Sequence, residues 1–382
     1  MSEYNFNNLD NTIDTNLSLD KSLEQKNVVN ITFINNTEGE NIINKINHAV
    51  DTFGDILNKK LDNNILFDKY KYKLIDIKNL VISGGGMNGF YMLGVLKLLD
   101  EYNILNNIQN YYGVSIGSFI ILFLVLGYSI KEIINFNVTF NFELLIKNNI
   151  DDVFNDLCFF NIDNFIFTIK KFISHKNIDE NITLYDFYKI NNKNLYIIGY
   201  NITTSSIVVF NHKTHPNIKL WEVIYISACL PTLVHPYKYN NEYYCDGGVV
   251  NNYPIDLISK EEINKTIGIV IRRINDNPTE INNIIDNLTI FTYHKYLLSI
   301  LSMAFEKDLN KINNLSYNNI IVDILGDSSF VNFSLSIDDK INMIEKGYTS
   351  SIIQINNIIN KLFNLIINNN KNNLNKLYNL MI

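Results

Sequence analysis

Apolar and polar positions change rhythm several times along this chain, and each change marks a predicted element. Over residues 1–40 asparagine and aspartate dominate and the apolar residues keep no period, which predicts a loose, disordered tail. From residue 42 the apolar positions Ile42, Ile46, Ala49, Val50, Phe53, Ile56, Leu57 and Leu61 recur every three or four places. That spacing puts them on one helical face, so 41–78 reads as an amphipathic helical extension packed on the domain that follows.

The rhythm then becomes one of short β-type runs between helical stretches. Leu80, Val81 and Ile82 break into the glycines at 84–86, and a helical pattern covers 90–102. Tyr111 and Tyr112 lead into Gly113-Val114-Ser115-Ile116-Gly117, after which an apolar run to Leu126 reads as a buried helix. Further β-type runs lie at 195–202, 207–210 and 267–271. Strands alternating with helices predict an α/β fold: a central, mostly parallel sheet covered by helices. Past 259 helical periods return, broken by one β-type run at 320–325, so 259–382 reads as a mainly helical C-terminal region.

That region ends in a long stripe in which Ile341, Ile344, Tyr348, Ile352, Ile355, Ile359, Leu362 and Ile366 step by threes and fours. The stripe can pack on the α/β domain, which is the favoured reading. The alternative is peripheral contact with a membrane, suggested by Lys346, Lys361, Lys371 and Lys376 with no acid among them.

Composition narrows the function classes. Hydrophobic residues make up 47% of the 382 and charged residues 19%, which excludes a wholly disordered chain. Lys and Arg number 32 against 39 Asp and Glu, and the resulting charge of −7 argues against nucleic acid as a partner. The cysteines Cys158, Cys229 and Cys245 include no CxxC pair, so neither a disulfide scaffold nor structural zinc is expected. The opening residues show no secretory leader, and the strongly apolar run at 119–126 is far below the roughly 20 residues that span a bilayer. The expected location is the cytoplasm or the surface of intracellular membranes. The abundance of asparagine reads as the bias of an AT-rich genome, without chemical meaning.

Three strings carry candidate chemistry. The first is GGGMNG at 84–89, between a strand and a helix. Its glycines let the backbone approach a ligand, and the helix N-terminus offers unpaired N–H groups to negative charge. Those groups suit either a dinucleotide phosphate or an oxyanion. The dinucleotide reading wants an acid about 20 residues on at a strand end, whereas Asp100 and Glu101 fall on the helix. The second is the GxSxG string Gly113–Gly117 around Ser115, where small flanking residues permit a sharp strand-to-helix turn that exposes a nucleophilic hydroxyl. The third is Asp246-Gly247-Gly248, a plain turn unless it supplies the base that a serine nucleophile needs. Only one histidine, His294, follows Asp246; His48, His175, His212, His215 and His235 precede it and read as surface or loop residues. A Ser–Asp dyad is then more economical than a triad. Cys245, beside Asp246, reads as a small buried residue and Trp221 as a packing residue.

Four stretches in order resemble the patatin-like phospholipase family over about half the chain. SGGGMNGFYMLGVLKLL at 83–99 is similar to its oxyanion loop and first helix, and 112–133 to its nucleophile elbow and buried helix. IYISACLPTLVHP at 224–236 resembles its Ala/Ser-rich helix, and YCDGGVVNNYP at 244–254 its DGG segment. The resemblance implies a patatin-like three-layer domain over 79–258 and a lipid acyl hydrolase of membrane or storage lipids without cofactor or metal. It implies Ser115 as nucleophile, Asp246 as proton acceptor, and the N–H groups of Gly84, Gly85 and Gly86 as oxyanion hole. Gly89, Gly113, Gly117, Gly247 and Gly248 would shape these turns. An acyltransferase on the same dyad, or a catalytically silent lipid-binding protein of the same fold, are the alternatives. Many family members carry Arg or Lys where this chain has Asn88, which suggests a weaker preference for anionic head groups.

Overall fold

Among the described residues, runs rich in β-branched and aromatic side chains build eight strands, joined into one sheet. They are β1 (Asn79–Ile82), β2 (Asn110–Gly113), β3 (Asn194–Asn201), β4 (Ser206–Phe210), β5 (Tyr237–Tyr239), β6 (Glu242–Asp246), β7 (Thr266–Ile274) and β8 (Asn319–Leu325). Their order is β5-β6-β3-β2-β1-β7-β8, with β4 also on β3. β3, β2, β1, β7 and β8 run parallel, while β4 and β6 pair antiparallel with β3 and β5 antiparallel with β6. The computed structural model describes residues 75–147, 158–274, 309–314, 316–325 and 331–381, together with Asp151, Val153 and Leu297. The expected tail, the helical extension up to residue 74, His48 and His294 lie outside the described residues.

Alternation along the strands sorts side chains to two faces. Leu80, Ile82, Ile269, Ile320 and Val322 enter the large core, while Val81, Val270 and the half-buried Ile321 meet Tyr253, Ile255 and Ile312 on the other face. Burial on both faces is what a parallel sheet requires. The longer helices among the described residues are α1 (Gly89–Glu101), α2 (Ile116–Val125), α3 (Ile130–Thr139), α4 (Ile162–His175), α5 (Leu184–Asn191), α6 (Leu220–Ala228) and α7 (Ile337–Met381). Short 3-10 turns at Pro254–Leu257 and Lys260–Lys265 follow the Asp246 segment. Several helix starts are capped as their sequences dictate: Ser129 and Glu132 form a capping box on α3, and Asn161 and Thr183 cap α4 and α5.

At the N-terminal ends of the parallel strands three asparagines stand side by side. Asn79 is opposite Asn110, and Asn110 opposite Asn194. Asn194 Nδ2 donates to Asn110 Oδ1 at 2.7 Å, Asn110 Nδ2 to Asn79 Oδ1 at 2.7 Å, and Asn79 Nδ2 to Thr266 Oγ1 on β7 at 3.0 Å. The three amides thus pass hydrogen bonds across four strands.

The sheet does not stop at residue 258. β7 lies directly against β1, and β8 against β7, so the region expected to be mainly helical contributes two strands to the same sheet. The C-terminal stripe is also settled locally. Ile341, Ile344, Tyr348, Ile355, Ile359 and Leu362 are buried in the large core, so that part of the stripe packs on the α/β domain. Helix α7 crosses α1 at mutually close glycines: a Cβ on Gly94 would strike the Ile344 carbonyl, and one on Gly347 the Tyr91 carbonyl. Gln354 brackets Ile321 of β8, accepting from its N–H and donating to its carbonyl, both at 2.8 Å, and so covers an edge strand. Lys340, only 4% exposed, donates to the carbonyls of Val138 and Phe140 at the C-terminal end of α3.

Candidate active site

The site lies where β1 and β2 end. Ser115 follows β2 and precedes α2, with φ 54 and ψ −129, a backbone conformation that L residues rarely adopt. The sharp turn exposes its side chain at the sheet edge, and the packing around it explains the flanking residues. A Cβ on Gly117 would sit 2.5 Å from the Ile82 carbonyl, so only glycine lets α2 begin this close to β1. Gly113 ends β2 and packs against Ile121. The strained turn is held from outside by Ser227 on α6, whose Oγ accepts the Ser115 N–H at 3.0 Å and donates to the Ile198 carbonyl at 2.7 Å.

Asp246 ends β6 and is 1% exposed. The Ser115 side chain lies beside its carboxylate and favours the ionised form, and the Gly248 N–H donates to Oδ1 at 2.7 Å. Gly247 packs against Ile198, which fixes the turn that carries Gly248. Burial opposes the ionised form more than these two groups favour it, and the carboxyl is pushed up to about 7. No described histidine is among its partners. His212, expected at the surface or in a loop, lies in the turn after β4, where it is buried and stacked on Tyr188 with ring centroids 3.8 Å apart. Cys245 is buried as expected, its thiol raised to about 12, too high for reactivity.

The glycine string follows β1 and leads into α1, which Gly89 opens in contact with Ile116. Its three expected donors are not equivalent. The Gly84 N–H is already bonded to the Asn252 carbonyl at 3.0 Å. Among the described residues the N–H groups of Gly85 and Gly86 meet no acceptor, and Gly86 holds φ 54. The loop runs beside the serine, for a Cβ on Gly84 would lie 3.1 Å from Ser115 Cβ and collide with Asn252 Oδ1. Asn252 and Ser227 are supporting residues that sequence reasoning did not single out. Both fall inside motif stretches, but only pairing across the sheet reveals their contacts.

Ser115 and the glycine loop open onto a cavity of about 220 Å³. Its wall is mostly apolar, with Phe119, Phe142, Leu145, Phe160, Phe165, Leu230, Leu233 and Phe333. Apolar cavities of about 150 Å³ hold a benzene ring, so this one has room for an acyl segment. Asn88 lines it but is 3% exposed, and its Oδ1 has no hydrogen-bond partner. The positive charge expected to be missing at Asn88 is present from another direction, since Arg272 and Arg273 of β7 line the same cavity. Among the described residues no helix is long and apolar enough to cross a membrane.

Comparison with known proteins places this architecture. A sequence model of the family described as patatin-like phospholipase matches residues 80–258. An uncharacterized protein of Acanthamoeba polyphaga mimivirus is 31% identical over 74% of this chain and 95% of its own length. A protein of Invertebrate iridescent virus 6 named a probable lipid hydrolase is 30% identical over 74% of this chain and 90% of its own. Among solved structures, VipD from Legionella pneumophila is similar at 16% identity and a TM-score of 0.48, over 74% of this chain and 67% of that one. The chain belongs to the patatin-like phospholipase family.

Proposed function

We propose that this protein is a lipid acyl hydrolase that cleaves carboxylic esters through Ser115 and Asp246. One observation carries the reading: a strained, cavity-facing serine lies beside a fully buried carboxylate whose ionised form its side chain favours. Family membership and the viral relative named a probable lipid hydrolase support it.

In this mechanism Ser115 Oγ attacks the ester carbonyl while its proton passes to Asp246. The carbonyl oxygen becomes an oxyanion that the Gly85 and Gly86 N–H groups receive; the N-terminus of α2 adds a favourable dipole. Gly84 holds the loop through Asn252 and donates nothing to the oxyanion. Asp246 returns the proton to the departing alkoxide, leaving an acyl-serine. A water then gives its proton to Asp246 and attacks the acyl carbon; the bond to Ser115 Oγ breaks, Asp246 returns the proton to that oxygen, and the fatty acid leaves. A base with a carboxyl near 7 is matched to neutral pH, strong enough to take the proton and still ionised often enough to do so.

The test is covalent. A fluorophosphonate probe should label Ser115, and Ser115→Ala should abolish both labelling and fatty-acid release from a panel of phospholipids, lysophospholipids and triacylglycerols, read by mass. Labelling at a different serine would move the site elsewhere.

A further inference from the structure

We propose that this protein seats on a lipid surface through the tips of two hairpins, β3–β4 and β5–β6, with Ile202, Ile207 and Tyr243 entering that surface. The inference rests on the ester hydrolysis proposed above for the reason a lipid surface is met, and adds the face that meets it.

Both tips stand at the end of the sheet where Ser115 lies. β2 stops at Gly113, opposite Ile197, whereas β3 runs four residues further to Asn201, about 13 Å. Asp246 is opposite Gly199, so Asn201 lies two residues beyond the level of the buried carboxyl. There the chain turns through residues 202–205 into β4, and in the other hairpin through Asn240 and Asn241 into β6. Singly exposed apolar side chains are ordinary on a protein surface, but these are joined. The Ile202 N–H donates to the Tyr243 carbonyl at 2.7 Å, and the Tyr243 N–H to Thr203 Oγ1 at 2.9 Å. Ile207 follows Ser206, the residue paired with Asn201. All six residues from Ile202 to Ile207 are exposed and none is charged.

A lipid interface takes aliphatic side chains, disfavours unpaired backbone groups, and holds tyrosine rings and lysine heads at the level of the head groups. The tips have that chemistry. The Thr204 N–H is bonded to Asn201 Oδ1 at 3.1 Å, and the Thr204 and Ser206 hydroxyls to each other at 2.8 Å, so the turn satisfies polar groups from within. Lys238 is opposite Tyr243 in register, with its Nζ 5.6 Å from the ring centre. Glu242 is the only acid in residues 199–208 and 237–245, and its Oε2 accepts from Asn201 Nδ2 and the Tyr244 hydroxyl, both at 2.7 Å. The stretch that carries β3 and β4, residues 187–221, holds four lysines and no acid, in a chain of net −7. A zwitterionic or anionic leaflet therefore meets no unpaired carboxylate at these tips.

The test is flotation of full-length Ser115→Ala protein with phosphatidylcholine vesicles, so that no lipid is consumed. Ile202→Ser combined with Ile207→Ser should lower the partition coefficient by about tenfold or more, as expected for two isoleucines that no longer leave water. Ile353→Ser removes an isoleucine that is 70% exposed on α7, and should change partition by less than about twofold. With Ser115 intact, the double variant should hydrolyse p-nitrophenyl butyrate within about twofold of wild type, which excludes a folding defect. Ile202→Trp gives a direct readout, because the chain's only tryptophan, Trp221, is buried. Its emission should shift to the blue on adding vesicles and be quenched by brominated lipid. No binding by the parent protein, unchanged partition in the double variant, an equal loss in Ile353→Ser, or emission that vesicles do not shift overturns the proposal. So does a dimer in sedimentation that the double variant dissociates while vesicle binding persists. That face would then join copies of this chain along β4, which among the described residues pairs only with β3. If vesicles are bound through these residues but no ester is cleaved, the hydrolase reading fails and the lipid face stands. If esters are cleaved and the double variant binds vesicles as well as its parent, the face fails and the hydrolase reading stands.

Discussion

The same parallel strands end in two opposite ways. At their N-terminal ends Asn79, Asn110 and Asn194 pass hydrogen bonds from strand to strand and on to Thr266, so that buried and half-buried polar groups are matched. At their C-terminal ends Ser115 and Gly86 hold positive φ, two backbone donors meet no acceptor among the described residues, and a buried carboxyl is displaced from its ordinary pKa. The distance between the two ends is short, for β1 and β2 are four residues each, roughly 13 Å of strand. The polar ladder at one end and the hydrophobic cores between hold the strands rigidly enough for the other end to remain strained and unsatisfied. Strain persists only where the surroundings over-determine it, and here Ser227, Asn252 and the neighbouring backbone do so.

Breaking each end should therefore give different losses. The largest effect belongs to Asp246→Asn, which keeps the shape but cannot accept the serine proton. Hydrolysis should fall by about 10²- to 10⁴-fold, while thermal unfolding shows no loss of stability. The reverse pattern is expected of Asn110→Ala at the ladder. It leaves Asn79 Oδ1 and Asn194 Nδ2 without their partners and should cost about 1–3 kcal/mol of stability, measured by urea unfolding, with kcat per folded molecule unchanged. A comparable loss of turnover in Asn110→Ala would show that the two ends are not separable.

Much of the site was legible because tight turns demand small residues at fixed offsets, and those offsets are contiguous in sequence. The glycine loop, the elbow and the Asp246 turn were readable in that way, as were the strands from 80 to 82 and 320 to 325. What was hidden depends on pairing between distant segments. Arg273 reaches the cavity only because β7 lies beside β1, and Asn252 engages Gly84 only because the segment after Asp246 returns under the loop. The periodicity of 341–366 revealed a stripe but not the surface that covers it, which is α1 and the edge of β8. Asparagine, without meaning for the chemistry, matters for the backbone. In a chain with only 16 glycines, Asn103, Asn177, Asn192, Asn240 and Asn241 occupy positive-φ positions that elsewhere favour glycine. Asn240 and Asn241 make the two-residue turn between β5 and β6, the hairpin that delivers Asp246 and that hydrophobic patterning alone did not disclose.

The smallest effect, and the one that sharpens the contrast most, is in pH. Asp246 must be ionised to take the serine proton, and burial holds its carboxyl at about 7 in the folded protein. Hydrolysis of a soluble ester should rise with a single midpoint near pH 7, and the ionised fraction alone gives about a tenfold gain between pH 6 and pH 8. The same shift has the opposite sign for stability. The folded state binds this proton more tightly than the unfolded chain, whose aspartates titrate near 3.9, so folding loses stability as pH rises from about 4 through about 7. Asp246→Asn removes that proton equilibrium. Its melting temperature relative to wild type should therefore climb across this window and level off above pH 8, while the ladder variant Asn110→Ala stays at a constant offset. Activity and stability would then move against each other with pH through one carboxyl, at the strained end only. A flat rate profile from pH 6 to 8, or an Asp246→Asn difference that shrinks toward alkaline pH, would sink the assignment of Asp246 as a buried base.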